Sequence, residues 1–355
     1  MRTVRFPAGS REYDVIIGNG AVSVLSDEIK KLCPRAEKAL IVSETNVAPL
    51  YLEKVRSELV KAGLETADYV FEAGERSKGI EAVAAMWNTM AEAGFTRTDI
   101  VIGLGGGVTT DMAGFAAATF LRGINVIQVP TSLLAMVDAS IGGKTGIDIP
   151  MGKNQVGAFW QPSLVVEDTS FLKTLPDEVF TEGMGEVTKH AFIMDRVLLE
   201  KLEKANGNIR DDEELLEEIV AMNVADKASV VKEDENDNGR RQILNFGHTV
   251  GHVIERDSGF TKPHGICVAK GMGLIMDSCV RAGTLSTDDA KRMKDLLTLY
   301  NLPVSDDITP EAIVKGAMND KKKRGGLISV ILVNEIGKAE IKKMTPEEFL
   351  GFLSK

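Results

Sequence analysis

His248, His252 and His264 gather in the segment NFGHTVGHVIERDSGFTKPHG, and the chain has one other histidine, His190. Imidazoles bind divalent metals and exchange protons near neutral pH, so this concentration points to a metal or acid-base site. His248 and His252 are four apart and share a face if the segment is helical. His264 follows Lys262-Pro263, which predicts a turn before the next apolar run, so a helix and a loop would converge on one ion. In TEGMGEVTKHAFIMD, Glu186, Lys189 and His190 stand at i, i+3 and i+4 and can face one way on a helix. Alone they read as a surface ion pair. Added to two imidazoles, however, a carboxylate completes the ligand set of a catalytic zinc site with an open position. Spacing favours His248 and His252 as the imidazole pair, as on metalloprotease helices, although Thr249 stands where such an enzyme has its general-base Glu.

Two glycine clusters could hold an anion. In DIVIGLGGGVTTDMAGF an apolar strand passes into a helix through Gly103, Gly105, Gly106 and Gly107. Glycines there let backbone amides approach a pyrophosphate at a helix N-terminus, although a turn of this kind also serves packing alone. In QVPTSLLAMVDASIGGKTGIDIPMGKN, Gly142-Gly143-Lys144 and Gly152-Lys153-Asn154 set two lysines beside flexible backbone. Such lysines are often solvated loop residues. Here the loops leave the apolar run Leu133 to Val137, which favours a phosphate or carboxylate site.

The elements that must position these groups follow from the hydrophobic pattern. Thr3 to Ile17 reads as two strands around a Pro7-Gly9 turn. Lys38 to Val42, Ala67 to Phe71 and Asp99 to Leu104 read as strands, alternating with helical spacing over Val47 to Ala62 and Gly79 to Ala93. Such alternation predicts a parallel sheet covered by helices. After Pro176 the texture turns to long helical stretches, ending in a hairpin of Leu327 to Val333 and Lys338 to Lys342. The acidic run Asp211 to Glu218 reads as a solvated helix start, and Lys321 to Arg324 as a solvated basic turn.

Composition bounds the function. The chain has 355 residues and 44% hydrophobic content, which suggests about two globular domains. A net charge of -10 argues against a nucleic-acid surface but leaves room for a local basic pocket. Three cysteines, Cys33, Cys267 and Cys279, form neither a disulfide framework nor a thiolate zinc pattern. With no secretory core and no long apolar run, a cytoplasmic protein that binds no membrane is expected.

Five segments, in order, closely resemble the 3-dehydroquinate synthase family of the shikimate pathway: GLGGGVTTDMAGFAAATFLRGI, QVPTSLLAMVDASIGGKTGIDIPMGKNQVGAFWQP, EGMGEVTKHAFIMD, LNFGHTVGHVIE and HGICVAKGM. The resemblance runs from about Ser43 to the Asp320-Lys321-Lys322 region. It implies an α/β plus α fold: a Rossmann-like NAD-binding parallel-sheet domain over residues 1–176, then a mainly helical metal- and substrate-binding domain over 177–355. It further implies a homodimer with its active site in the interdomain cleft.

Residue by residue, the resemblance places the metal ligands on Glu186, His248 and His264, overruling the pair chosen from spacing. The ion would be zinc or cobalt. NAD contacts fall on Glu75, Lys78, Gly106, Gly107, Val108, Asp111, Thr131, Ser132, Asp138, Lys144, Lys153, Phe171, Thr174 and Leu175. Substrate and proton-transfer groups fall on Lys144, Asn154, Lys189, Lys227, Arg241, Asn245 and His252, joined by one of Lys321 and Lys322. Arg122 would reach the phosphate pocket of the other subunit.

The implied reaction converts the anionic sugar phosphate 3-deoxy-D-arabino-heptulosonate 7-phosphate to 3-dehydroquinate and phosphate. It proceeds by NAD-mediated transient oxidation at C5, phosphate elimination, re-reduction, ring opening and intramolecular aldol closure, which makes the enzyme a carbon-oxygen lyase. Three departures are conservative: Glu44 for the usual Asp, Ser132 for Thr, and Asp237 for Glu. The rival readings are another sugar-phosphate cyclase, a metal-dependent polyol dehydrogenase, or a binding protein that has kept the fold.

Overall fold

A computed structural model describes residues 1–321 and 326–354, without the side chains of 319–321, and the chain parts into two compact units. The first comprises Met1–Leu175 with Asp212–Asn236, the second Pro176–Asp211 with Asp237–Lys355.

The first unit is built on a seven-stranded sheet. Its strands are β1 (Arg2–Pro7), β2 (Glu12–Gly18), β3 (Lys38–Glu44), β4 (Glu65–Phe71), β5 (Ile100–Gly105), β6 (Asn125–Pro130) and, after a separate hairpin, β9 (Leu164–Asp168). The order is β1-β2-β9-β6-β5-β3-β4, parallel except for the β1/β2 edge. β5 and β9 are buried along their whole length, as apolar runs covered on both faces must be. Helices α1 (Leu25–Leu32) and α2 (Ala48–Lys61) cover one face, where Ile29, Val55 and Leu59 pack on Ile41, Ile102 and Val166. Helices α3 (Ile80–Glu92) and α4 (Gly107–Thr119) cover the other, where Met86 and Met112 meet Leu40, Val101 and Val126.

The segment read as two Gly-Lys loops is an antiparallel hairpin, β7 (Lys144–Ile149) with β8 (Gly152–Phe159), so the lysines occupy strand starts and not free loops. The β-branched and alternating residues of TGIDI pair across it.

Helix α7 (Glu213–Glu233) groups with the first unit, whereas the sequence reading placed it in the second. The acidic start of this helix explains the difference. Asp212 caps α7 through the N–H of Leu215, and Glu213 and Glu217 accept hydrogen bonds from Asn19 near the end of β2.

The second unit holds α5 (Asp177–Ile193), α6 (Arg196–Ala205), α8 (His248–Asp257), α9 (His264–Arg281), α10 (Thr287–Leu299), α11 (Pro310–Lys321), the hairpin β10 (Ile328–Glu335) and β11 (Lys338–Met344), and α12 (Pro346–Ser354). Its helices approach closely at glycines. A β-carbon on Gly185 of α5 would lie 2.8 Å from the Gly265 carbonyl oxygen of α9. Gly247, at φ 78°, would place one 2.6 Å from the Val268 carbonyl oxygen. These crossings bring α5, α8 and the start of α9 together. Among the described residues no helix is long and apolar enough to cross a membrane.

Candidate functional site

In the first unit the chain passes from β5 to α4 at Gly106, an extended N-cap residue with no side-chain cap. The first amides of α4 therefore lack intrahelical acceptors, and the helix dipole favours an anion there. β3 leads to β4 on one side and β5 to β6 on the other, so the carboxyl ends of β3 and β5 form the switch point where doubly wound sheets take ligands. The glycines divide in their work. A β-carbon on Gly103 would overlap the Gln128 side chain of β6 and sit 3.1 Å from that of Ala113, and one on Gly105 2.7 Å from that of Thr109, so both serve packing. One on Gly106 meets nothing nearer than Ser132 Oγ at 3.5 Å.

Around this turn the predicted dinucleotide residues cluster. Lys78, 5% exposed, donates to Asp111 Oδ2 and Asn154 Oδ1, both at 2.6 Å. Its carbonyl accepts from the Asp148 N–H at 2.8 Å, and Asp148 Oδ1 accepts from the Asn154 N–H at 2.7 Å, which pins the hairpin tip. Lys153 stands 3.5 Å from Glu75. Burial raises Asp111 to about 6, against the lowering pull of Lys78. Burial opposes charge on Lys78 too, but Asp111 and Glu75 outweigh it and hold the ammonium above its ordinary value.

Other candidates in this unit have mixed positions. Thr131 and Ser132 are buried just after β6, where the Thr131 N–H donates to Gly105 O at 3.0 Å. Lys227 of α7 donates to the carboxylate of Asp138 and, at 2.7 Å, to its carbonyl. Phe171 is 1% exposed and stacks on Tyr51 at 3.9 Å, so its side chain belongs to the core. The Thr174 hydroxyl meets that of Tyr51, and the Leu175 N–H donates to Leu172 O. Lys144 is exposed at the start of β7. Arg122 is exposed at φ 67°, directly after Leu121 at φ 49°, two consecutive residues in left-handed conformation.

In the second unit the metal candidates converge. Glu186 of α5 is 1% exposed; its Oε2 accepts from Lys189, and its Oε1 has no hydrogen-bond donor. That orphaned oxygen lies 3.5 Å from His248 Nε2 and 3.9 Å from His264 Nε2. Two ligands of one tetrahedral zinc stand about 3.3–3.5 Å apart, so the donor set fits a divalent ion. Each ring turns its other nitrogen away: His248 Nδ1 contacts Phe246 O at 3.1 Å, and His264 Nδ1 contacts Glu255 Oε2 at 3.3 Å. With the Nδ1 positions protonated, both Nε2 atoms present lone pairs to the same point.

Burial, and then the charges of Lys189, His264 and His252, hold His248 well below its ordinary pKa. For His264 burial works the same way, but the Glu255 hydrogen bond and the Glu186 charge outweigh it and raise the ring. His252 lies at the exposed side, its ring nitrogen within 4.8 Å of those of His248 and His264. The Glu186–Lys189 pair is buried, not the surface pair that its spacing alone suggests. Arg241, 2% exposed, lies on the short helical turn Arg240–Asn245. Asn245, His248, His252 and Asp237 line a cavity of about 470 Å³. His264 is the first residue of α9 and not part of a loop, because Pro263 at ψ 145° is the N-cap from which the helix starts. Lys321 and Lys322 lie outside the described side chains.

The family patterns for the 3-dehydroquinate synthase N-terminal and C-terminal regions match residues 68–182 and 183–323. The 3-dehydroquinate synthase of Clostridium acetobutylicum is 40% identical over 99% of each chain. The chain belongs to the 3-dehydroquinate synthase family. Within that family the enzyme of Prochlorococcus marinus is 43% identical over 93% of this chain and 91% of its own. Among solved structures, 2-epi-5-epi-valiolone synthase from Streptomyces hygroscopicus, with NAD+ and Zn2+ bound, has a TM-score of 0.87 at 27% identity, covering 96% of this chain and 95% of that one. Glycerol dehydrogenase from Schizosaccharomyces pombe, at TM-score 0.68 and 17% identity over 96% of this chain and 87% of that one, shares the fold.

Sequence reasoning missed three carboxylates that stand beside these candidate residues. Asp148 holds the backbone of Asn154. Glu255 meets His264, and Glu182 packs against the backbone of Gly265. Their spacing carried a signal: Glu255 follows His248 by two helical turns, and Glu182 precedes Glu186 by one.

Proposed function

We propose that this chain catalyses the 3-dehydroquinate synthase reaction, taking 3-deoxy-D-arabino-heptulosonate 7-phosphate to 3-dehydroquinate and phosphate. The observation that carries the reading is the donorless Glu186 Oε1 facing two imidazole Nε2 atoms within a chain of this family. Glu186, His248 and His264 would hold a divalent zinc or cobalt ion, which when bound would supply Lewis-acid polarisation of the vicinal hydroxyls of the substrate. The Gly106-Gly107-Val108 turn, Glu75, Lys78, Asp111, Thr131, Ser132 and Lys153 would hold NAD, which when bound would supply reversible hydride transfer at C5 without net consumption.

The chain's own groups do the remaining work. Lys189 balances one oxygen of Glu186, leaving the other for the ion. The cationic groups of Lys144, Lys227 and Arg241 fix the anionic ends of the substrate by local attraction in a protein of net charge -10. Asn245 orients the substrate, and His252, at the exposed side of the cluster, relays protons. Arg122 serves the phosphate of the other subunit in a homodimer, and the cytoplasm is the compartment.

The test is phosphate release from the heptulosonate phosphate with catalytic NAD and zinc, recorded together with absorbance at the NADH band. Phosphate and dehydroquinate without net NADH are expected. Accumulating NADH without phosphate would mean a dehydrogenase, and Glu186→Ala with full metal content and turnover would overturn the metal assignment. Arg122→Ala should weaken affinity for the phosphorylated substrate, and unchanged affinity would remove its cross-subunit role.

A further inference from the structure

His264 has little in its own element to hold it. It is the first residue of α9, whose N-cap, Pro263, offers no side-chain cap, and its side chain is 31% exposed. An imidazole so placed could turn its ring or exchange tautomers, and either change would take Nε2 away from Glu186. A carboxylate from another helix prevents this. Glu255 of α8, 5% exposed, meets Nδ1 at 3.3 Å. Glu182 of α5, one turn before Glu186, packs against the backbone of Gly265, the next residue of α9.

We infer that Glu255 is a positioning residue for the metal site: it fixes the His264 ring with Nδ1–H toward α8 and Nε2 toward Glu186. The inference rests on the metal reading proposed above. The two imidazoles are supported differently. His248 leans on a neutral backbone carbonyl, that of Phe246, whereas His264 leans on a carboxylate. An anionic acceptor draws the Nδ1 proton more strongly and makes Nε2 the better donor to a cation. His264, the more exposed ring of the two, thus receives the stronger orienting partner.

The experiment uses the full chain stripped of metal by chelation, as wild type, His264→Ala, Glu255→Ala, Glu255→Gln and the double variant His264→Ala/Glu255→Ala. Zinc affinity is read by competition with a chromophoric chelator and ligand geometry by the visible spectrum of the cobalt form. NAD affinity and apoprotein melting serve as controls. Glu255→Ala should weaken zinc binding roughly 10–100-fold and shift the cobalt bands. Glu255→Gln, which keeps the shape and an acceptor oxygen but not the charge, should fall between. In the His264→Ala background, loss of Glu255 should cost nothing further, because the effect passes through the ring. Wild-type zinc affinity in both Glu255 variants, while His264→Ala loses zinc, would overturn the inference; so would an equal loss with and without His264. A wild-type chain that binds no zinc, or His264→Ala with undiminished affinity, would instead sink the metal reading, and the inference with it.

Discussion

Lys78 and Asp111 form a buried ion pair at 2.6 Å, one partner just before α3 and the other on the second turn of α4. Burial raises Asp111 from 3.8 to about 6, so its carboxylate opposes folding increasingly as pH climbs through that interval, and Lys78 offsets the cost above it. Lys78→Met should destabilise the chain by about 3–5 kcal/mol near neutral pH, because it strands a buried charge. The loss should shrink at about pH 5, where Asp111 is protonated in both proteins. Urea unfolding at the two pH values checks this, and a pH-independent loss would refute it.

The glycines of the β5-α4 turn should separate by readout. Gly105→Ala forces a β-carbon against Thr109 and should lower the melting temperature, at a cost of about 1–3 kcal/mol. Gly106→Ala meets only ordinary contact at Ser132 and should leave melting nearly unchanged while weakening NAD. Melting curves and NAD titration of both variants decide the matter.

Glu167 on β9 is fully buried, neither of its oxygens has a hydrogen-bond partner, and burial holds it well above the usual carboxylate range. The folded chain therefore keeps the extra proton, and stability is lost as pH rises from the ordinary glutamate value toward the raised one. Glu167→Leu should stabilise by about 1–3 kcal/mol, with the gain growing with pH over that window. Equal gains at about pH 4 and pH 8 would contradict the account.

Zinc should protect the second unit by mass action. Saturating zinc at about a thousandfold over its dissociation constant adds about 4 kcal/mol, and chelation removes it. In Glu186→Gln the melting temperature should respond far less to added zinc, which calorimetry with and without chelator would show.

Sheet and helices were legible wherever apolar period and length agreed, as at Lys38–Glu44 and Ala48–Lys61. Period alone does not say what a helix packs against: the bonds from Asn19 to Glu213 and Glu217 place the start of α7 beside the end of β2, which no hydrophobic period reveals. Pro263 illustrates a second limit: a proline both ends one element and opens the next, so its presence alone does not decide whether His264 belongs to a turn or, as the structure has it, to the start of α9. The histidine cluster itself was visible because imidazole is rare in this chain. Glu255 and Glu182 were not, because a glutamate in a helix ordinarily reads as a solvated charge, and what it meets depends on how neighbouring helices cross.

The crossing of α5 and α9 sets a volume limit on residues that take no part in any chemistry. A methyl group at Gly185 would press on the Gly265 carbonyl oxygen, and one at Gly265 would come within 2.8 Å of the Glu182 carbonyl carbon. Relief requires the helices to part, and a separation of about one ångström misplaces a catalytic constellation. A glycine-to-alanine exchange at either position, the mildest in composition, would therefore act as a loss-of-metal mutation, and natural variants there should be read with the severity usually reserved for the ligands.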